Sequence, residues 1–342
     1  MEHIEFGKMV IDHGRIDFRL HAVGSNAEFV KIALDETQDS QIELQRALAN
    51  HALGEWGLDA PSLLLRVAGS LVPDAIVKQQ DVVRGVVQAA SRAGAWIFCG
   101  GLDFGIPNLV GTMLQQRRHT CESPLIGAVS WAAITNKEQL QCDTRGNRDP
   151  EPGSKRMYTD GAPDEDAGTV SLQPNHSHFV IVDSTVSITR AEQARRDALS
   201  MKDRLLEARK RSFTFAHGFE RAVAEACISR EGSHQKERSP HVLVVIGGDE
   251  TTMKELLAYA RAQFGIILLA SATGGLAEAL TEYDVGLHSS ELGKSEGGLS
   301  GVTAAEPGDV GERCSEEIDA GNATAEPGLA RSRLYRSSDV EG

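Results

Sequence analysis

The chain has 342 residues, with 35 Lys+Arg against 49 Asp+Glu for a formal charge of −14. That length allows two domains or one enlarged domain, and that charge excludes a protein whose main work is gripping nucleic-acid phosphates or an anionic membrane surface. The longest apolar runs, Val242 to Ile246 and Ile266 to Ala270, fall far short of the roughly 20 residues of a membrane span. The first twenty residues carry charges every few positions and have no signal-peptide core, which reads as cytoplasmic. The five cysteines, Cys99, Cys121, Cys142, Cys227 and Cys314, contain no C-x-x-C pair. They read as reduced thiols, with neither a disulfide framework nor a metal knuckle.

Residues 1–56 offer one strand, Phe29–Leu34, and one helix, Gln41–Leu53. They read as an N-terminal extension. From 57 to 287 the pattern repeats: a short apolar run rich in branched residues, a glycine turn, then helical spacing. Candidate strands are Ser62–Val67, Ala95–Phe98, Pro124–Val129, His178–Val182, Val242–Ile246 and Ile266–Leu269. Candidate helices are Val77–Ala93, Leu109–Gln116, Ala191–Arg209, Phe219–Ser229, Thr251–Ala262 and Leu276–Leu280. Alternation of this kind predicts an α/β, Rossmann-like three-layer fold with a mostly parallel sheet. Residues 141–170 are dense in Gly, Pro, Asp and Arg and read as a mobile loop within this domain. Residues 288–342, with 11 acids and 5 bases between Glu291 and Glu341, read as a disordered acidic tail.

Three glycine-rich turns each follow a strand and open a helix. They are Gly100-Gly101-Leu102-Asp103-Phe104-Gly105, Gly247-Gly248-Asp249-Glu250-Thr251 and Thr273-Gly274-Gly275. Such turns let backbone N–H groups face an anion, with the helix N-terminus behind them adding partial positive charge. In a parallel sheet all of them lie at the C-terminal strand edge, where ligands of doubly wound folds bind. No P-loop and no dinucleotide fingerprint occurs. His176-x-His178 has metal-like spacing but reads as structural, and Trp131, after a strand, is a candidate for stacking on a base or for the core.

The run RVAGSLVPDAIVKQQDVVRGVVQAASRAGAWIFCGGLDFGIPNLVG, Arg66 to Gly111, resembles the cytosolic N-terminal melastatin homology region of TRPM cation channels. Collinear with it follow Ile126-Gly127 with Trp131, Asn136-Lys137-Glu138, Pro174 to Phe179 with Asp183, and Gly247-Gly248 with Thr251. That region belongs to the SLOG superfamily of Rossmann-like nucleotide sensors. The resemblance implies a module that binds a nucleotide-derived anion, ADP-ribose as a candidate, through Gly69, Gly100, Gly101, Gly105, Trp131, Gly247, Gly248, Thr251, Gly274 and Gly275. It implies no catalytic residue, no metal and no resident cofactor. Partners would be the small molecule and channel subunits or further copies of the chain.

Two departures bear on chemistry. Ser70 stands where the channel family has a second glycine. The lonely-guy phosphoribohydrolases of the same superfamily carry Pro-Gly-Gly-x-Gly-Thr-x-x-Glu, whereas Gly247 to Glu255 lacks the proline and third glycine and places Glu255 one position late. Two alternatives stay open beside sensing: hydrolysis of a nucleoside monophosphate, with Glu250 or Glu255 as acid–base group, and a scaffold that binds nothing.

Overall fold

The structure, a computed structural model, describes residues 11–18, 26–34, 38–117, 123–141, 154–162, 169–183, 201–229, 239–262 and 265–283. Nine strands form one sheet: β1 (Ile11–Phe18), β2 (Asn26–Ala33), β3 (Leu64–Ser70), β4 (Trp96–Gly100), β5 (Leu125–Ser130), β6 (Lys155–Tyr158), β7 (His178–Asp183), β8 (His241–Gly247) and β9 (Ile266–Ala270). Their order across the sheet is β6-β1-β2-β7-β5-β4-β3-β8-β9. The β1–β2 pair is antiparallel. Seven strands, from β2 to β9 in that order, run parallel. Strands β5 and β7 are buried at every position, which is why they read as continuous apolar runs rather than alternating ones.

The helices are α1 (Gln38–Gly54), α2 (Ile76–Ala93), α3 (Gly105–Gln115), α4 (Met201–Ser229) and α5 (Glu250–Ala262), followed by a helix at 275–283. Alternate residues of β3 separate the two faces of the sheet. Leu65 and Val67 pack with α2 and α3, whereas Leu64 lies in the cluster of α1 and α4 and Ala68 in that of α5. The expected three layers are present. In α2, Val83, Val87 and Ala90 turn inward, and Gly94 ends the helix in the left-handed conformation with its N–H on the Ala90 and Ser91 carbonyls, a standard glycine C-cap.

The N-terminal residues are not an appendage. Ala27, Phe29, Val30 and Ile32 of β2 are buried on alternating sides, so β2 extends the parallel sheet and its boundary at residue 56 marks no break in the core. In β1 only alternate residues such as Ile16 and Phe18 face inward, and the intervening charges hide the strand in the sequence. The 141–170 segment likewise contains β6, an edge strand whose Arg156 and Tyr158 are buried. The helices expected at Ala191–Arg209 and Phe219–Ser229 are one helix over their described part. Gly218 lies inside it, and a Cβ there would run into the Gln45 side chain of α1; the glycine lets the two helices approach. The 288–342 segment lies outside the described residues.

Candidate functional site

Because β4, β3, β8 and β9 are adjacent and parallel, the turns at Gly69-Ser70, Gly100-Gly101, Gly247-Gly248 and Thr273-Gly275 all leave the same sheet edge. Those after β3, β8 and β9 are knotted together. The Gly247 N–H donates to Thr273 Oγ1 at 2.9 Å, the Gly248 N–H to the Ser70 carbonyl at 3.3 Å, and the Leu276 N–H to the Gly248 carbonyl at 3.0 Å. Fully buried Gln79 joins them: its Nε2 donates to the Thr273 carbonyl at 2.8 Å and its Oε1 accepts from the Val72 N–H at 3.2 Å. Gly247, Gly248, Gly274 and Gly275 all have positive φ, and a Cβ on Gly275 would overlap the Gly248 carbonyl oxygen. These glycines let turns touch turns, and the Gly247 and Gly248 amides point inward.

The N-terminus of α5 is also filled. Thr252 N donates to Asp249 Oδ1 at 3.0 Å while Asp249 N donates to Thr252 Oγ1 at 3.2 Å, a reciprocal cap. A carboxylate of the chain itself thus takes the place an anion would occupy. Thr251, proposed from sequence for this turn, lies instead beside the groove between α4 and α5.

The turn after β4 differs. Gly101 is buried, a Cβ there would meet Val129 and the Phe179 ring, and Asp103 N donates to the Ser171 carbonyl at 2.8 Å. Helix α3 then starts at Gly105, φ 66°, with Phe104 in the N-cap position, no side-chain cap and no acid in its first turn. Pro107 brings no N–H, so the Gly105 and Ile106 amides form the opening of the helix. Beside them Phe104 is 69% exposed. A helix N-terminus without a side-chain cap next to an exposed aromatic ring suits a ligand with an anionic and an aromatic part. The signal for Phe104 was readable: an aromatic residue in an N-cap position usually held by Ser, Thr, Asp or Asn. Trp131 follows β5, the strand next to β4, and lies three strand spacings, about 14 Å, from β8. Its ring carries the Lys31 ammonium at 3.7 Å, which also pairs with Asp183 at 3.1 Å.

A family profile described as "SLOG in TRPM" matches residues 27–291. The chain belongs to this family. The match begins in β2, so it takes in β2 and α1. Among similar proteins, rat (Rattus norvegicus) TRPM member 4 is 29% identical over 233 residues, 66% of this chain and 17% of the relative. The Drosophila melanogaster channel trpm is 25% identical over 262 residues, 72% of this chain and 12% of the relative. A Nematostella vectensis TRPM member-like 2 protein is 27% identical over 184 residues, 50% of this chain and 10% of the relative. The matched region thus spans less than a fifth of these relatives. Among the described residues no helix is long and apolar enough to cross a membrane.

Under α4 and α5 the SLOG domain holds a polar cluster that no sequence motif announces. Arg66 of β3, fully buried, pairs with Glu220 of α4 and donates from Nε to Glu255 of α5 at 2.6 Å. His241 Nε2 lies 2.7 Å from Glu220. Burial opposes the Glu220 charge, but Arg66 and His241 outweigh it and hold the carboxyl at about 2. Burial opposes the Arg66 charge too, and the two carboxylates raise its pKa regardless. Glu255 is therefore a partner of Arg66, and Glu250 is exposed on Lys254 at 2.7 Å. Of the two carboxylates proposed for acid–base work, Glu255 is drawn away from the glycine turns by Arg66, and Glu250, at the end of the Gly247-Gly248 turn, is held outward by Lys254.

His176 and His178 also serve the interior. His176 Nε2 lies 3.2 Å from Cys99 Sγ and its Nδ1 3.2 Å from Gln173 Oε1, while His178 packs on Trp56 at 4.5 Å. Among the described residues no cluster of metal-ligating side chains occurs. Burial pushes His176 down to about 3 and His178 to about 4; burial and then Arg66 push His217 to about 3. The unfolded chain therefore binds more protons than the folded one below the ordinary histidine range near 6.5. Stability is complete above that value and falls as pH drops toward 3–4. Urea titrations from pH 8 to pH 4 should show a midpoint that declines only below about pH 6.5; a midpoint that rises on acidification would contradict the buried neutral histidines.

Proposed function

We propose that this SLOG domain senses a nucleotide-derived anion, ADP-ribose being the first candidate, as the cytoplasmic N-terminal module of a TRPM-type cation channel or as a free-standing relative. The observation that carries the reading is the α3 N-terminus: Gly105 and Ile106 amides without a side-chain cap, flanked by exposed Phe104. Phosphate would bind the amides and the base would stack on the ring. The turns at Gly69, Gly247, Gly248, Gly274 and Gly275 would brace the edge rather than donate to the ligand. Channel subunits are the partners in this reading, since the relatives are cation channels. The module would bind without hydrolysis, because Glu255 is held by Arg66.

Calorimetry against ADP-ribose, cyclic ADP-ribose, NAD and AMP tests it. At least one should bind, and Phe104→Ala should weaken that ligand at least fivefold, as expected for about 1 kcal/mol of lost stacking. The melting temperature should stay within a few degrees because the side chain is mostly exposed. A binder indifferent to Phe104→Ala would move the site elsewhere. The scaffold alternative is favoured by one observation, the inward use of the Gly247 and Gly248 amides, and becomes the better account if no member of the panel binds.

A further inference from the structure

Toward the end of the sheet opposite the glycine turns, three histidines from three elements surround one tryptophan. His178 opens β7, and its ring centre lies 4.5 Å from that of Trp56. The Trp56 ring meets His51 of α1 edge-on at 5.6 Å, and His51 meets His13 of β1 at 5.7 Å. The turn that closes α1 is built on His51. Its carbonyl accepts from Glu55 N at 2.7 Å and from Trp56 N at 3.1 Å, while Leu58 N donates to the Ala52 carbonyl at 3.3 Å. The four rings thus join this turn to strands β1 and β7, and neither the sensing site nor the Arg66 cluster uses them.

The charged groups around these rings come from every neighbouring element. On β1, Arg15 shares a side with His13 and pairs with Glu28 of β2. Glu28 stands opposite Arg15 in one ladder and opposite His178 in the other. Glu55 follows His51 by one helical turn. Helix α4 packs on α1 through Phe215, Phe219 and Val223, and its Arg221 and Glu225 pair with each other. Burial opposes charge on His51 most, and His13 opposes it further; Glu55 and Glu28 offset this only in part, so the imidazole stays below the ordinary histidine value. Burial and then His51 bring His178 down to about 4. Both rings are neutral in the docked turn at pH 7, and both become better bases once water reaches them.

We propose that His13, His51 and His178 form a proton-operated latch: uptake of protons by His51 and His178 lifts the α1 C-terminal turn, with Trp56, off β1 and β7. Protonated in place, the two imidazoles would put positive charge on either side of the Trp56 ring, with Glu28 already matched by Arg15. A histidine held below its free value of about 6.5 stabilises the docked turn above that pH and withdraws this support as the pH falls. Each proton taken up on opening raises the open fraction by up to about tenfold per pH unit. Because the latch and the α3 N-terminus lie at opposite ends of the sheet, the domain would answer to acidity whether or not a nucleotide binds.

Hydrogen-exchange mass spectrometry of the full chain at pH 7.5, 6.5 and 5.5, with rates corrected for the intrinsic effect of pH, reads the latch through the Glu55, Trp56 and Leu58 amides. Opening at these amides should increase at least about tenfold from pH 7.5 to 5.5. It should not respond to 0.5 M urea, because a local opening exposes little surface. In His51→Gln the increase should be at least about threefold smaller, since one linked proton is gone, and circular dichroism checks that the variant is folded. An NMR titration of the wild-type imidazoles needs no variant: the ring in contact with both Trp56 and His13 should have its midpoint below about 6.5. No increase in the wild type, an equal increase in His51→Gln, an opening that grows with urea as global unfolding does, or a His51 midpoint at or above about 6.5 would each overturn the latch.

Discussion

Arg66→Met is expected to lower folding stability at pH 8 by about 3–5 kcal/mol, the range for removing one partner of a buried ion pair. Methionine fills most of the space, so the loss is electrostatic. Glu220 is wholly buried and Glu255 nearly so, and without the guanidinium two carboxylates share an interior site. One of them must take up a proton on folding. A carboxyl whose folded pKa is raised stabilises the fold below its unfolded value, and that contribution disappears as pH rises. The variant should therefore be hurt most at pH 8 and less near pH 5, whereas the wild type has its carboxylate stability in full above about pH 4.5. Chemical denaturation at the two pH values measures both. Adding Glu220→Gln and Glu255→Gln should recover much of the loss, because no buried charge then lacks a counter-ion. A deficit under about 1 kcal/mol in Arg66→Met, or one independent of pH, would show that the cluster is not the electrostatic knot its geometry describes.

The βα alternation was legible because strands buried on both faces leave unbroken apolar runs, and because helices such as α2 keep their buried residues at three- and four-residue spacing. β1 was not legible, since Asp12, His13, Arg15 and Asp17 break its apolar pattern, and β6 was masked by the Gly, Pro and Asp around it. The glycine turns could be placed at one edge from sequence. Which amides they leave open could not, because that depends on Gln79 and Thr273, two ordinary residues that bond across the edge at a separation of 194 positions. Glu255 shows the same limit. Counted along the chain it resembled a displaced catalytic acid; in space it faces Arg66, 189 residues away.

Among the described glycines, Gly69→Ala is expected to have the largest effect of any added methyl. Gly69 pairs with Ile246 across the β3–β8 ladder at φ 148°, a conformation that side-chain-bearing residues rarely adopt. An added Cβ would overlap the Ile246 carbonyl oxygen. That oxygen belongs to the backbone of β8, a strand paired on both sides, so no rotamer change relieves the clash, and β3 or β8 must shift. Either movement also disturbs Ser70, whose carbonyl accepts from Gly248, and Arg66 lies one turn of the ladder below. The loss should exceed about 4 kcal/mol, the upper end for single substitutions, and read out as failure to fold at 37 °C. Gly85→Ala is the matched comparison. Gly85 lies inside α2 with nothing within 4 Å of a built Cβ, so alanine there should stabilise by about 0.5–1 kcal/mol through helix propensity. Guanidinium midpoints for the pair separate backbone crowding from any general intolerance of the chain: a Gly69→Ala protein with an unchanged midpoint would mean that β3 and β8 are not held at the distance the ladder requires.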